Sequence, residues 1–486
     1  MLASRIPGLV IAGLCGGSGK TVISIGVIAA LKKWGIKVAP FKKGPDYIDA
    51  GWLAFAAGRP CYNLDTFLCN QSQVKNSFQK NSANSDIAII EGNRGLYDGI
   101  DLDGRTSTAE IAKLLNIPVL LILDCTKSTR TMAALLMGCL HFDPHVNIIG
   151  VVLNRVAGKR HENKVQDNIR KFCNIPVFGS IPKLKSKNFP ERHMGLVPCE
   201  EHSLAIFSLK SAVKIAQDNI DLDLILKTCA TISKNQIVEH NNIQSNESNN
   251  ISLKPETDNN FLTPCSSVKY SNTPVIGVIK DSAFQFYYPD NLEALIKKGA
   301  KIKFISPLKE KTIPKVNAIY MGGGFPETHA QKLTQNLEFR KNLRQLAKQG
   351  LPIYAECGGF IFLGQSIKIL DGKVFPMTGV FPVDFGFSKR PVGHGYTKVK
   401  VVHDNPFFTK GQVIKGHEFR YSSILNIDFK EKDMAFKMER GKGIINKMDG
   451  LCKKNVLATY THILATGTSA WADGFIKKIL EFMKTS

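Results

Sequence analysis

Cys357 lies in YAECGGFIFLG, residues 354–364, where an apolar extended run meets two glycines and then a run of helical character. A strand, a tight turn and a helix N-terminus in that order would expose the sulfur, and nearby helix N–H groups would favour its thiolate. This is the arrangement of a nucleophile elbow with Cys in place of Ser. The competing reading is a structural thiol, since free Cys behaves as a small hydrophobe. A second chemical stretch is AGLCGGSGKT, residues 12–21. Gly16, Gly17 and Gly19 would let backbone N–H groups wrap phosphates, with the helix N-terminus adding positive potential. Lys20 would reach the β/γ-phosphates of ATP, and the Thr21 hydroxyl would bind Mg²⁺. The strict spacing fails by one residue, because Leu14 stands where the first glycine belongs and Gly13 lies one position earlier.

Acids follow at places where an open parallel sheet gathers its ligands, the carboxyl ends of strands. KKGPDYIDAGW places Asp46 and Asp49 after the second apolar run, and IIEGNRGLYDG places Glu91 at the end of the next, with Asp98 beyond it. Oxygen ligands at two such ends, beside a phosphate loop, can hold Mg²⁺. Thr21, Asp46 and Glu91 are the expected ligands. Any one acid could instead cap a helix or sit in solvent, but Glu91 directly follows DIAII.

These residues need strands and helices to position them. GLVIAGL, IKVAPFK, DIAIIEG, VLLILDC, NIIGVVLNR and PVFGSIP alternate with amphipathic stretches, and PVIGVIKD, KIKFIS, NAIYMGGG and PIYAECGG do so again later. Such runs predict an α/β protein of two doubly wound, mainly parallel-sheet domains. The window from Ser233 to Thr273 is rich in Asn and Ser and predicts a flexible linker. The expected organisation is a nucleotide domain over 1–232, a linker over 233–272 and a second domain over 273–486. A chain of 486 residues has room for two to four domains at about 150 residues each. No apolar run reaches the roughly 18 residues of a membrane span. The apolar start runs straight into the glycine loop, which reads as a first strand and not a signal peptide. The 11 Cys have no paired spacing, which predicts a reducing cytoplasm. The net charge of +23 is compatible with polyanionic ligands, but no basic block interleaved with aromatics supports nucleic acid.

FKKGPDYIDAGW (41–52), EGNRGLYDG (91–99), HFDP (141–144), NRV (154–156) and PERHMGL (190–196) closely resemble the cobyrinate a,c-diamide synthases. The resemblance covers nearly the whole chain outside the Asn-rich stretch. It implies a dethiobiotin-synthetase-like ATPase domain joined to a class I glutamine amidotransferase domain, and the shifted phosphate-loop spacing is a feature of that ATPase group. It further implies Cys357 as the nucleophile and His462, in LATYTHILA, as its base. No acidic third member stands out, which leaves a Cys–His dyad. YMGGGFPE (320–327) matches the family's glycine turn, so N–H groups near Gly323, Gly324 and Gly358 are the implied oxyanion hole. GHEFRYS (416–422) also resembles a family segment, with Arg420 where many members carry His.

The implied reaction begins with attack of the thiolate on the glutamine side chain, with His462 as base and then proton donor to ammonia. ATP would turn a substrate carboxylate into an acyl phosphate that ammonia displaces, with Lys20 and Mg²⁺ stabilising the transferred group. Asp49 and Asp98 are the candidates to position substrate or guide ammonia. The expected partners are ATP, L-glutamine and a polycarboxylate tetrapyrrole: cobyrinate, or siroheme or nickel-sirohydrochlorin. No nucleic acid or membrane partner is expected, and a homodimer is left open. A ParA-like switch ATPase would explain the phosphate loop but not Cys357 and His462.

Overall fold

The computed structural model describes residues 6–183, 191–192, 195–199, 201, 204–247 and 273–485. They divide into two compact units, one holding residues 6–66 and 70–247 and the other residues 67–69 and 273–485.

Continuous apolar runs build the first unit. Its strands are β1 (Gly8–Gly13), β2 (Val38–Lys43), β3 (Tyr62–Leu64), β4 (Ile87–Glu91), β5 (Val119–Asp124), β6 (Ile148–Val156) and β7 (Val177–Pro182). Among the described residues they form one sheet in the order β3-β2-β4-β1-β5-β6-β7, every pair parallel. β1, β2 and β4 are buried along their whole length, as strands covered on both faces must be. The helices between them are α1 (Lys20–Lys33), α2 (Ile48–Ala57), α3 (Gln71–Ser82), α4 (Thr108–Leu115), α5 (Arg130–Phe142) and α6 (Lys159–Cys173). Local signals start two of them. Asn70 and Gln73 form a reciprocal capping box at α3, and the Ser107 hydroxyl accepts the Glu110 N–H at α4. A short hairpin, β8 (Glu191–Arg192) with β9 (Gly195–Leu196), takes up the described part of PERHMGL; Pro190, His193 and Met194 lie outside the described residues.

α7 (Ala205–Asn219) and α8 (Leu222–Glu247) complete this unit. α8 departs from expectation, since it carries helix through residues 233–247, where a flexible linker was predicted. The cause lies upstream of the Asn-rich composition. Leu222, Ile225, Cys229 and Ser233 recur at helical spacing on one buried face, and that face holds the first turns against the sheet. The rest of the predicted linker, residues 248–272, lies outside the described residues.

The second unit starts as expected, with β10 (Val275–Ile279), α9 (Pro289–Lys297), β11 (Lys301–Ile305), β12 (Ala318–Met321), α10 (Ala330–Gln335), α11 (Leu337–Lys348), β13 (Ile353–Glu356) and α12 (Gly358–Leu363). Beyond α12 come β14 (Ser366–Lys368), β15 (Val374–Pro376), β16 (Val383–Phe387), β17 (Gly393–Val401), β18 (Val413–Arg420), β19 (Ser422–Ile427), β20 (Met434–Arg440), β21 (Met448–Lys453), β22 (Val456–Thr459), β23 (His462–Ile463) and the closing helix α13 (Ala470–Thr485). The main sheet runs β11-β10-β12-β13-β22-β21-β20-β17-β18-β23. Its first five strands are parallel and the rest are antiparallel. β22 and β23 are two residues apart in sequence yet stand fifth and tenth in the sheet, so the antiparallel half curls back toward β13. β14, β15, β16 and β19 form a separate small sheet.

The periodicity of α8 has a direct test. Ile225→Ala should cost about 2–5 kcal/mol in urea unfolding, because it leaves a cavity at a buried site. Leu224→Ala, one position round the helix and 43% exposed, should stay within about 0.5 kcal/mol of wild type.

Candidate active sites

In the first unit, residues 14–19 span the gap between β1 and α1. Gly19 adopts φ 93°, and a Cβ there would stand 2.3 Å from Asn154 Nδ2, so backbone conformation and space both demand glycine. Asn154, near the end of β6, donates to the Ser18 carbonyl at 2.9 Å and ties the loop to the sheet. Lys20 is buried and its Nζ donates to the Cys15 carbonyl at 2.8 Å. Burial, and then the neighbouring Lys42, holds the Lys20 ammonium below its ordinary pKa. The segment after β4 lies against the end of β1, where the loop begins: Gly92 N–H donates to Ile11 O at 2.9 Å and Leu96 N–H to Gly13 O at 2.8 Å.

The acids converge beside Lys20. Thr21 Oγ1 donates to Glu91 Oε1 at 2.7 Å and approaches Asp49 Oδ2 at 3.3 Å. Lys42, unremarked in the sequence, is central to the group. Its Nζ donates to Asp49 at 2.8 Å, to Glu91 at 2.9 Å and to the Gly92 carbonyl at 3.1 Å. Burial opposes the Lys42 charge, but Asp49 and Glu91 outweigh it and raise its pKa. Burial raises the pKa of Glu91 despite Lys42, and that of Asp46, with Asp49 adding to it.

Two of the expected positions differ. Asp46 turns to α2 and accepts the Asp49 N–H at 2.9 Å, a capping contact. Asp49 is therefore the acid that reaches Thr21. Asp98 is exposed, and its Oδ2 accepts the Gly95 N–H at 2.7 Å within the turn. Among the described residues no group of three His, Cys, Asp or Glu side chains has metal-binding geometry. Thr21, Asp49 and Glu91 nevertheless fit Mg²⁺. They offer hard oxygen donors, and Glu91 Oε2 is buried without a hydrogen-bond partner. Mg²⁺ ordinarily takes one or two carboxylates and completes its shell with water and phosphate oxygens.

In the second unit β13 ends at Glu356, Cys357 takes φ 45° and ψ −98°, and α12 begins at Gly358. The turn is anchored by Cys357 N–H to Thr459 O at 2.8 Å and by Ile361 N–H to Cys357 O at 2.9 Å. A Cβ at Gly358 would lie 2.8 Å from Gly324 N, so the glycine lets the elbow lie directly against the Gly322–Gly324 turn. Gly323 borders the base, since a Cβ there would meet His462 Cε1 at 2.7 Å. Gly323, Gly324 and Gly358 therefore lie beside one another, with Gly323 against the imidazole.

His462 is hydrogen-bonded to Cys357. Its Nδ1 lies 3.3 Å from Glu356 Oε2, while Ile463 N–H donates to Glu356 Oε1 at 3.2 Å. Its ring stacks on His417, its register partner on β18, with centroids 4.8 Å apart. Burial alone would lower the His462 pKa, but the bonds to Cys357 and Glu356 raise it to about 10. His417 is held well below the ordinary range by burial and by His462. Of the competing histidines, His394 stacks on Phe419 and His403 bonds the Met434 carbonyl.

A buried clasp sets this strand. Asp449 accepts the Thr459 and Thr461 hydroxyls at 2.7 and 2.8 Å and the N–H groups of Tyr460 and Thr461 at 3.0 Å each. Arg420 lies over the Tyr460 ring at 3.8 Å and donates to the Gly443 carbonyl at 2.6 Å, which gives it a packing role beside the site. Sequence reasoning missed Lys42, Glu356 and Asp449.

A phosphate loop with a carboxylate cluster, and a Cys–His elbow facing a glycine turn, define a nucleotide-dependent glutamine amidotransferase. Residues 9–197 match the CobQ/CobB/MinD/ParA nucleotide binding domain, and residues 275–470 match the CobB/CobQ-like glutamine amidotransferase domain. The chain is 38% identical to the cobyrinate a,c-diamide synthase of Magnetococcus marinus, over 96% of each chain. It is 36% identical to that of Archaeoglobus fulgidus, over 99% of each. The chain belongs to the cobyrinate a,c-diamide synthase family and is a glutamine-hydrolysing ligase with ATP as co-substrate. Among the described residues no helix is long and apolar enough to cross a membrane.

Two measurements probe these clusters. Lys42→Met should lower stability by about 3–5 kcal/mol in urea unfolding, because it leaves buried carboxylates without their counter-ion. Added Mg²⁺ should then raise the variant's midpoint more than the wild type's. The second concerns pH. His462 rises from an ordinary 6.5 to about 10, so its charged form adds stability that is complete below about pH 6.5. That stability is lost as pH climbs through 10. The thermal midpoint of the wild type should therefore fall toward that of His462→Gln between pH 6.5 and 10.

Proposed function

We propose that this chain amidates the a and c acetate carboxylates of cobyrinate, with ammonia released from glutamine and each carboxylate activated as an acyl phosphate. The observation that carries the reading is the full-length likeness to proteins named cobyrinate a,c-diamide synthase. The two side-chain clusters supply chemistry that suits it.

His462 takes the proton from the Cys357 sulfur, and the thiolate so formed attacks the glutamine side-chain carbonyl. The oxyanion is met by N–H groups around Gly323, Gly324 and Gly358. As the C–N bond breaks, His462 returns the proton to the leaving ammonia, and water then releases glutamate. At the other site the obstacle is that a carboxylate has no usable leaving group, since displacement would expel oxide. Transfer of the γ-phosphoryl group gives an acyl phosphate whose leaving group is phosphate, and attack by ammonia gives the amide. Lys20 offsets charge on the transferred group. Thr21, Glu91 and Asp49 would hold Mg²⁺, which neutralises phosphate charge. Lys42 holds Glu91 and Asp49 in place. Asp98 shapes the turn beside the phosphate loop and acts on substrate only through that turn. A basic chain in the cytoplasm suits a substrate with many carboxylates.

The test is to incubate the protein with ATP, Mg²⁺ and glutamine and to compare cobyrinate, siroheme and nickel-sirohydrochlorin. Diamide should form with cobyrinate; amidation of another tetrapyrrole in its place would reassign the substrate. Cys357→Ala should abolish glutamine-driven amidation while high ammonia still drives it. Lys20→Ala should lower kcat for substrate-dependent ATP hydrolysis more than it weakens nucleotide binding. Glutamine hydrolysis at the wild-type rate in the Cys357 variant would overturn the assignment of the nucleophile.

A further inference from the structure

A histidine that must take a proton from sulfur has to present one nitrogen to the thiol and keep the other protonated. The acid that enforces this is commonly a separate element of the fold, as the general logic of a triad requires. The residue two places after His462 is Leu464, so the local strand supplies no such acid. Glu356 comes instead from the strand that carries the nucleophile. It is fully buried, and both of its oxygens are engaged by the base strand: Oε2 at Nδ1 of His462 and Oε1 at the N–H of Ile463.

We propose that Glu356 is the positioning residue of the glutaminase site, holding His462 with its proton on Nδ1 so that Nε2 faces Cys357. The assignment rests on the reading of Cys357 and His462 as nucleophile and base. The two oxygens divide the task. One fixes the ring's tautomer and the other fixes the backbone from which the ring projects, so the imidazole can neither flip nor slide along the strand. The proton from sulfur rests on Nε2, and the thiolate so formed attacks the carbonyl as the S–C bond forms. The Nδ1 proton stays in its bond to Glu356, whose carboxylate faces the imidazolium. When ammonia leaves, the Nε2 proton goes with it and the pair returns to its starting state. His417 closes the opposite face of the ring. Its uncharged imidazole adds no positive charge there, so the imidazolium's counter-charge comes from Glu356.

Glu356→Gln is close to isosteric and can still accept from Ile463 N–H. It should lower kcat for glutamine hydrolysis about 100-fold with little change in KM for glutamine. It should also slow alkylation of Cys357 by iodoacetamide at neutral pH and move the alkylation profile to higher pH. Combined with His462→Gln, it should add nothing further, because Glu356 acts only through that ring. Wild-type kcat and alkylation in Glu356→Gln would overturn the proposal while leaving the dyad intact. Wild-type glutaminase in His462→Gln would instead overturn the underlying choice of base. Folding of each variant is checked by its thermal midpoint. A measurement on the wild-type protein decides if Glu356→Gln does not fold: with ¹⁵N-histidine label, His462 should show a downfield proton coupled to Nδ1. A His462 ring protonated on Nε2 alone would overturn the proposal.

Discussion

A carboxylate sealed from water at the end of a parallel strand has to meet a cation or several donors, and each unit is organised around one. Glu91 closes β4 and Glu356 closes β13, and neither is exposed. An ion left unpaired at such a place costs several kcal/mol, so the elements that deliver its partner are under strict geometric control. In the first unit the control is strand register, because Lys42 on β2 lies directly opposite Glu91. A slip of one residue would turn the ammonium to the other face of the sheet. In the second unit Glu356 pairs with Thr459, and the Asp449 clasp carries the chain from there to His462.

The two sites meet different demands with related means. The first gathers three oxygens around a buried ammonium, leaving one carboxylate oxygen free for a harder cation. The second keeps its single acid fully engaged and lets the imidazole carry the positive charge. Cys357 adds stored strain. A non-glycine residue at φ 45° costs about 1–3 kcal/mol, and the bonds to Thr459 and Ile361 keep it there. The strain holds the sulfur at the head of α12, outside the strand.

Much of this could be read from residue order. The apolar runs became β1, β2, β4 to β7 and β10 to β13; in the central strands burial on both faces writes itself as uninterrupted hydrophobicity, while the edge strand β11 is largely exposed. The glycine loop and the thiol elbow were visible for the same kind of reason, since both need small residues at fixed offsets. β3 was not visible, being three residues long. The antiparallel half of the second sheet was not visible either, because its half-exposed strands carry no continuous run. Lys42 looked like one of two adjacent lysines, and only strand pairing separates it from Lys43. Asp46 was expected beside Thr21 and Asp49 at the substrate, but α2 makes Asp46 a cap and brings Asp49 to Thr21. Glu356 stood beside Cys357 all along, but its partner is 106 residues away and no spacing encodes that meeting.

That separation also bears on the order in which the chain acquires its chemistry. The thiol's strand and turn belong to the early, parallel part of the second unit. His462 arrives on β23, whose only pairing partner among the described residues, β18, becomes available after a long excursion through the antiparallel strands. Closing a loop of that length is entropically costly and slow, so contacts of this kind form late in folding. A nascent or half-folded chain therefore carries an inert cysteine. On the proposed pairing of Cys357 with His462, the capacity to cleave glutamine switches on only with completion of the sheet.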